Sequence, residues 1–159
     1  SSFEPLLNEN NQTTTWMESC QINIDASGAV IARIHTTSSG QGHETLVSTV
    51  IGEVLGIDPD SIRVVRPNSL ESLPGNSPVG SRMAIMLGGA AARAAEKLKA
   101  KIIAIATHQL QCDAASIHYQ GGNMLSADGR QISWDDIIEL AHRQIHGLPD
   151  GMDLSLIHI

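Results

Sequence analysis

The chain has 159 residues, a formal net charge of −7 at pH 7 and 42% hydrophobic residues, which is enough for one domain with its own core. Aromatic residues make up only 3%, and the lysines are confined to positions 97, 99 and 101. The chain therefore lacks the stacking platforms and the basic stripe of a nucleic-acid-binding protein. Cys20 and Cys112 stand far apart, outside any Cys-x-x-Cys pattern, which argues against a disulfide framework or a zinc site. The most apolar stretch, residues 83–107, carries charges and is not expected to span a membrane.

The first predicted element is a β-hairpin that follows a polar lead-in segment, residues 1–15. Apolar and polar residues alternate between positions 16 and 24 and again between positions 30 and 34, which is the period of a half-buried strand. Asp25-Ala26-Ser27-Gly28 between them has the composition of a turn. We therefore predict two antiparallel strands with one face on the core.

An amphipathic helix and a short strand are predicted next. Apolar residues between positions 46 and 55 have helical spacing, and Gly56 follows as the residue that ends the helix. Asp58-Pro59-Asp60 then turns the chain into a strand over residues 62–65. Residues 67–78 are predicted to form a loop, and a loop of this size inside a compact domain is usually functional.

A long helix is predicted from about Ser81 to about Gln109. Its first half is rich in glycine and alanine and includes the adjacent Gly88 and Gly89. Because each glycine costs a helix roughly 1 kcal/mol against alanine, we expect either a packed element or a cofactor to approach the backbone there. We also expect the small-residue face of residues 88–95 to remain exposed when this segment is separated from a larger protein.

Short strands and a third helix complete the predicted elements. Residues 117–120, 124–125 and 132 are predicted to form a small antiparallel unit. Ser133 is a capping residue for a helix over residues 134–145. Gly147 and Pro149 are expected to end that helix.

Together these elements indicate an α+β fold with short antiparallel strands, two main helices and a C-terminal helix. We expect a lead-in segment (1–15), a domain (16–152) and an unassigned tail (153–159), with no element in residues 154–159. Residue 1 is serine, so the start is expected to be a processed end, a cloning boundary or an interior point of a longer protein. The lack of a recognisable signal peptide predicts a cytoplasmic location.

Two glycine-containing loops, each at the start of a helix, are the candidate binding sites. One carries Gly40-Gln41-Gly42 and the other ends in Gly80-Ser81-Arg82. A helix N-terminus presents unpaired N–H groups and a partial positive charge, which suit a phosphate, and Arg82 adds a guanidinium for a bidentate contact. The same residues are also compatible with simple helix caps, or with an Arg82 that pairs with a nearby carboxylate.

Familiar nucleotide and metal motifs do not match this sequence. Thr45 stands where a dinucleotide fingerprint has its third glycine, and the helix after this loop is not expected to lie in a parallel β-α-β unit. No Gly-Lys-Ser/Thr occurs, which excludes a P-loop. His142 and His146 can share a helix face, but no further ligand stands in register, so we interpret them as a solvated helix end.

The ordered set of motifs resembles the large subunit of the molybdenum hydroxylases, the family of xanthine dehydrogenase, aldehyde oxidase and carbon monoxide dehydrogenase. The resemblance rests on Gly40-Gln41-Gly42-His43-Glu44-Thr45 before an amphipathic helix, then Asp58-Pro59-Asp60 and a strand, then Ser77-Pro78-Val79-Gly80-Ser81-Arg82 at the start of a long helix. It extends from about Trp16 to about Met152.

The resemblance implies a molybdopterin-binding segment in which both loops contact the cofactor. Gln41 would hydrogen-bond near the metal's oxo group or to the pterin. The implied cofactor-binding residues are Gly40, Gln41, Gly42, His43, Glu44 and Thr45 in the first loop and Gly80, Ser81 and Arg82 in the second. The expected cofactor is molybdenum-molybdopterin in its cytosine dinucleotide form. Its dithiolene would hold the metal, so we assign no metal ligand and no catalytic residue to this chain.

Other features of the family do not occur in the sequence, which indicates a piece of a longer subunit. These features are the Gly-x-Gly-Glu stretch with the catalytic glutamate, the phenylalanine-bearing glycine loop, the iron–sulfur cysteines and a flavin site. The implied parent would hydroxylate an aldehyde or N-heterocyclic carbon with water-derived oxygen, and the fragment alone is expected to be inactive. Its expected partners are the remainder of its own large subunit, iron–sulfur and flavin subunits or domains, and a small-molecule substrate.

Two other hypotheses stay open at this point. One is a stand-alone small α+β module that binds an anion and has no redox role. The other is a structural segment whose glycine loops serve only as helix caps. The polar lead-in, the missing initiator methionine and the unassigned tail favour the fragment of a larger enzyme.

Overall fold

The computed structural model describes residues 18–68, 70, 73, 75, 78, 82–143 and 157–158. Their elements are, in chain order, β1 (Cys20–Ile24), β2 (Val30–Ile34), α1 (His43–Leu55), β3 (Ile62–Val65), α2 (Met83–Leu110), β4 (Ile117–Gln120), β5 (Asn123–Ser126), β6 (Gln131–Ile132), α3 (Trp134–Arg143) and β7 (Ile157–His158). The strands form two sheets, ordered β3-β2-β1-β7 and β4-β5-β6. The predicted α+β fold is confirmed.

Several predictions lie outside the described residues. They are the lead-in segment, the beginning of the first strand at Trp16, most of the loop over residues 67–78, Gly80 and Ser81, His146, and the helix stop at Gly147 and Pro149. Within the described part of the chain, none of the helices is both long enough and apolar enough to cross a bilayer.

The predicted hairpin is confirmed. β1 and β2 are antiparallel, with Cys20 opposite Ile34, and both strands bury alternate side chains on the core. In the turn, the carboxylate of Asp25 accepts hydrogen bonds from the backbone N–H groups of Ser27 at 2.8 Å and of Ala29 at 3.1 Å. This local cap explains why the turn composition was a reliable signal.

The expectation that the helix after the first glycine loop lies outside a parallel β-α-β unit is wrong. β3 pairs with β2 in parallel, with Val30 opposite Ile62, and α1 connects the two strands. α1 begins at His43, three residues before the apolar spacing that predicted it, and ends before Gly56, whose φ of 62° lies in the left-handed region. Because the two strands are parallel, their carboxyl ends lie at the same edge of the sheet.

The expectation that the small-residue face of α2 remains exposed is also wrong. Ala91 and Ala95 are fully buried, together with Ala90 and Ala94, because α2 packs against α1 and β1. A Cβ at Gly88 would lie 3.8 Å from the side chain of Leu46. The small residues therefore allow α1 and α2 to approach closely. Of the two expectations for this stretch, a packed element or a bound cofactor near the backbone, the structure shows the packed element.

The C-terminal part follows the prediction except at the tail. β4, β5 and β6 form an antiparallel unit. At the start of α3, the Ser133 hydroxyl donates to the Asp136 carboxylate at 2.6 Å, and the backbone N–H of Asp136 donates back to the hydroxyl at 3.2 Å. No element was expected in residues 154–159, yet β7 pairs with β1, with Ile157 opposite Ile22. So short a strand has no periodicity of its own and is defined by its pairing partner.

Candidate functional site

The first glycine loop lies at the carboxyl edge of the parallel pair. It follows β2 and leads into α1, while Arg66 follows directly after β3. Polar side chains that follow neighbouring parallel strands are brought together by the sheet, and in open α/β sheets ligands bind at this edge. The parallel pairing therefore marks this edge as the candidate site.

The loop is held by its own polar groups and leaves its backbone accessible. The N–H of Gly42 donates to the Ser38 hydroxyl at 2.8 Å, and the N–H of Ser39 donates to Gln41 Oε1 at 2.5 Å. Gly40 and Gly42 have φ values of 95° and 71°, a conformation that favours glycine. A Cβ built at either glycine meets no described atom within 4 Å. The loop is therefore an open cradle, and the Gln41 side chain keeps its amide NH₂ as a donor.

The start of α1 has the properties of an anion-binding site. Gly42 is the N-cap, so the N-cap position provides no side-chain cap for the first N–H groups of the helix. His43, the first helical residue, is only 4% exposed. Its Nδ1 is buried without a hydrogen-bond partner among the described residues. The N–H groups of a helix start together with the helix dipole favour a phosphate or another anion, so these residues fit a phosphate-bearing cofactor.

A carboxylate and a guanidinium flank this helix start. Arg66 Nε donates to Glu44 Oε1 at 2.7 Å. Burial raises the pKa of Glu44, but hydrogen bonds from its own backbone N–H and from Arg66 outweigh burial, so its pKa lies below the ordinary value of 4.5. Glu44 is therefore an ionised hydrogen-bond acceptor in the first turn of α1.

Behind the loop lies a buried cluster of Glu18, His35 and Arg82. Glu18 precedes β1, His35 follows β2, and Arg82 directly precedes α2. His35 Nε2 lies 2.6 Å from Glu18 Oε2, and Arg82 Nη2 pairs with Glu18 Oε1. The three side chains are 0%, 6% and 3% exposed for Glu18, His35 and Arg82 respectively. A Cβ at Gly75 would overlap the ring of His35, so the backbone of Gly75 packs directly on this cluster.

Arg82 thus contacts the carboxylate of Glu18. This agrees with the alternative that the sequence left open, in which Arg82 pairs with a nearby carboxylate. Gly80 and Ser81 lie outside the described residues, and no described contact joins Arg82 to residues 40–45. A direct contact of Gly80, Ser81 and Arg82 with a cofactor stays a prediction.

The sequence interpretation missed Arg66, Glu18 and His35 as parts of the site. Arg66 could have been noticed because it is a charged residue directly after a predicted strand. Its position indicates a site residue only once β2 and β3 are known to be parallel. Glu18 and Arg82 are 64 positions apart, and no local pattern joins them.

The histidine that was considered for a metal site has a structural contact. His142 Nε2 lies 3.1 Å from the carbonyl oxygen of Ile24, which ties α3 to the end of β1. Among the described residues, no group of three or more His, Cys, Asp or Glu side chains is arranged to hold a metal ion.

An α+β domain with an open glycine cradle at a helix start is suited to hold an anionic cofactor, and comparison with known proteins specifies the class. Residues 1–156 match the family model of the molybdopterin cofactor-binding domain, so the chain belongs to this family. This confirms the resemblance drawn from the two glycine motifs.

Individual relatives agree with the family model. The chain is 30% identical over 139 residues to the carbon monoxide dehydrogenase large chain of Hydrogenophaga pseudoflava, covering 87% of this chain and 17% of that protein. It is 27% identical over 153 residues to the nicotine 6-hydroxylase large subunit of Paenarthrobacter nicotinovorans, covering 95% of this chain and 19% of the relative. Its fold matches a crystal structure of Cu,Mo-CO dehydrogenase in the carbon monoxide reduced state with a TM-score of 0.82 and 26% identity, over 96% of this chain and 20% of that one. The chain thus spans about a fifth of the length of these relatives.

Proposed function

We propose that this chain is the segment of a molybdenum hydroxylase large subunit that binds the molybdopterin cofactor through residues 40–45 and the start of α1. One observation carries the proposal. The N-cap of α1 is a glycine without a capping side chain, and a Cβ built at Gly40 or Gly42 meets no described atom within 4 Å. In a member of the molybdopterin cofactor-binding domain family, this cradle allows the backbone to approach a phosphate or pterin closely.

Each residue of the loop has a proposed part in binding. Gly40 and Gly42 allow backbone approach, and the Gln41 amide donates a hydrogen bond to the cofactor. His43, Glu44 and Thr45 contribute the first turn of the helix, whose N–H groups stabilise negative charge. Gly80, Ser81 and Arg82 would contact the cofactor from the start of α2. Arg82 is held by Glu18, so its guanidinium has a fixed position.

The bound cofactor would supply the two-electron redox chemistry that inserts water-derived oxygen at a substrate carbon. We propose an aldehyde or an N-heterocycle as the substrate class, and the name of the relative nicotine 6-hydroxylase supports the second. The cytosine dinucleotide form of the cofactor and a cytoplasmic location are further parts of the proposal. So are iron–sulfur and flavin partners, in keeping with relatives named as large subunits or large chains.

A stand-alone anion-binding module and a purely structural segment are less well supported. Both explain the open helix start, but neither explains a family match over nearly the whole chain. The two alternatives also leave unexplained why relatives named as a dehydrogenase and a hydroxylase contain a corresponding segment.

The proposal is tested by Gln41→Ala in the full-length subunit. If the amide donates to the cofactor, its loss leaves a cofactor acceptor unpaired, which costs about 1–3 kcal/mol or roughly 5- to 150-fold in affinity. Molybdenum and pterin per folded subunit should fall, while the melting temperature should change little, because Gln41 is exposed and its described hydrogen bond, from the N–H of Ser39, lies within the same surface loop.

Gln109→Ala is the matched control, since Gln109 is an exposed glutamine on the distant end of α2. Full cofactor content and normal turnover in the Gln41 variant would refute the assignment of this loop. A lowered melting temperature with unchanged content per folded molecule would instead favour the helix-cap hypothesis.

A further inference from the structure

Arg66 is a cation at the candidate site that no motif identified. It follows β3 at the carboxyl edge of the parallel pair, and its side chain is 64% exposed. Its Nε donates to Glu44 at 2.7 Å, and no other partner of this side chain is found among the described residues. Because a guanidinium carries five N–H donors in a planar fork, the Nη groups stay available to a second anion.

The helix start has a charge conflict that Arg66 resolves. Glu44 lies in the first turn of α1, close to the N–H groups that would bind a phosphate. An ionised carboxylate there occupies the positive end of the helix dipole and repels another anion. The contact with Arg66 balances this charge at the place where the phosphate would lie.

A second observation at the same helix end also indicates a ligand. His43 is the first residue of α1 and is only 4% exposed. Its buried Nδ1 atom has no hydrogen-bond partner among the described residues. A buried polar atom without a partner is rare unless a ligand or water satisfies it. Glu44 and Arg66 flank this end of the helix, and the open glycine cradle precedes it.

We propose that Arg66 binds a phosphate oxygen of the cofactor through its Nη groups, while Glu44 holds the guanidinium through Nε. This inference rests on the proposed function, in which residues 40–45 hold a phosphate-bearing pterin. It adds a residue outside both glycine loops to the binding site and gives Glu44 a positioning role. Its rival is a counter-ion role, in which Arg66 only neutralises Glu44 and never touches the ligand.

The two roles are separated by Arg66→Gln made alone and in a Glu44→Gln background, in the full-length subunit. Each variant is loaded with cofactor, and the release of molybdenum and pterin is followed during dialysis. Direct contact predicts that Arg66→Gln speeds release about tenfold or more with Glu44 present, because a charge-assisted bond is lost. It also predicts faster release, by a smaller factor, in the Glu44→Gln background, where the guanidinium is held less firmly. A counter-ion role predicts an effect only while Glu44 is present, and that outcome would overturn the proposal.

Arg63→Gln is the matched control. Arg63 lies on β3 and is exposed, so the variant makes the same change of charge on the same strand, and its release rate should equal that of the unaltered subunit. Equal acceleration by Arg63→Gln would show a long-range charge effect and would also overturn the proposal. Since Arg66 is exposed, these variants are expected to fold, and thermal melting checks this. Arg66→Lys should restore retention only in part, because lysine keeps the charge without the fork.

Gln41→Ala separates failure of this inference from failure of the proposed function. If Gln41→Ala lowers cofactor retention and Arg66→Gln does not, only the inference about Arg66 is refuted. If neither variant changes retention, the cofactor assignment of residues 40–45 is refuted, and the proposal for Arg66 is refuted with it.

Discussion

Glu18→Gln is expected to destabilise the domain strongly, although it changes the size of one side chain very little. Glu18 is fully buried between His35 and Arg82, whose side chains are 6% and 3% exposed. Removal of one partner breaks a buried ion pair, which typically costs about 3–5 kcal/mol. Since a domain of this kind is stable by about 5–15 kcal/mol, the loss is a large part of the total. At about 2–4 °C per kcal/mol for a chain of this size, the melting temperature should fall by roughly 6–20 °C.

The assay is urea unfolding of the chain, followed by circular dichroism, for Glu18→Gln, Arg82→Met and the double variant. If the pair is coupled, the double variant should lose much less than the sum of the single variants, because a buried ion pair can be replaced by uncharged groups at little cost. Arg130→Gln is the control, since it removes an exposed ion pair with Asp128, leaves the backbone contacts of Asp128 in place and should leave the midpoint almost unchanged. A change below about 1 kcal/mol for Glu18→Gln, or additive single variants, would contradict this reasoning.

Two further predictions concern the C-terminal part of the fold. Gly122→Ala should destabilise the chain more than Gly129→Ala. The two glycines have similar φ values, 83° and 85°, but only a Cβ at Gly122 would lie against the indole ring of Trp134, at 2.9 Å. Urea midpoints of the two variants measure the cost of that contact, and equal midpoints would contradict it. Hydrogen bonds from the capping serine lower the pKa of Asp136 below its ordinary value of 3.8. The stabilisation is therefore full above that value and is lost as the pH falls through the lowered pKa, so Asp136→Asn should flatten the acid side of a stability–pH curve, and an unchanged curve would contradict this.

The elements that could be predicted from the sequence are those with a local signal. The hairpin was predicted from two-residue alternation and an Asp25 turn, and α1 from helical spacing ended by Gly56. α3 was predicted from its serine cap, because the capping groups are three positions apart in the chain. In each case the physical cause lies within a few residues, so one sequence is sufficient to find it.

The relations between elements could not be predicted in the same way. Alternation in β3 does not specify whether its neighbour is parallel or antiparallel, so the β-α-β unit was missed. β7 has no pattern of its own and depends on the free edge of β1. The burial of Gly88 and of the alanines at positions 90, 91, 94 and 95 depends on where α1 and β1 lie, which is a tertiary fact and not a property of α2.

The same distinction applies to the site. The glycine motif is contiguous and was found, but it includes a carboxylate, Glu44, that by itself opposes an anion at the helix start. The negative charge of Glu44 is balanced by Arg66, which stands 22 positions later in the chain. The two side chains meet because β2 and β3 end at the same edge of the sheet. The fixed position of Arg82 likewise depends on Glu18, 64 positions earlier. A motif can therefore identify where the backbone approaches a ligand, whereas the net charge offered to that ligand depends on strand pairing. Since anion affinity depends on both, the parallel pairing of β2 with β3 is the structural feature on which the proposed binding of a phosphate at this site depends.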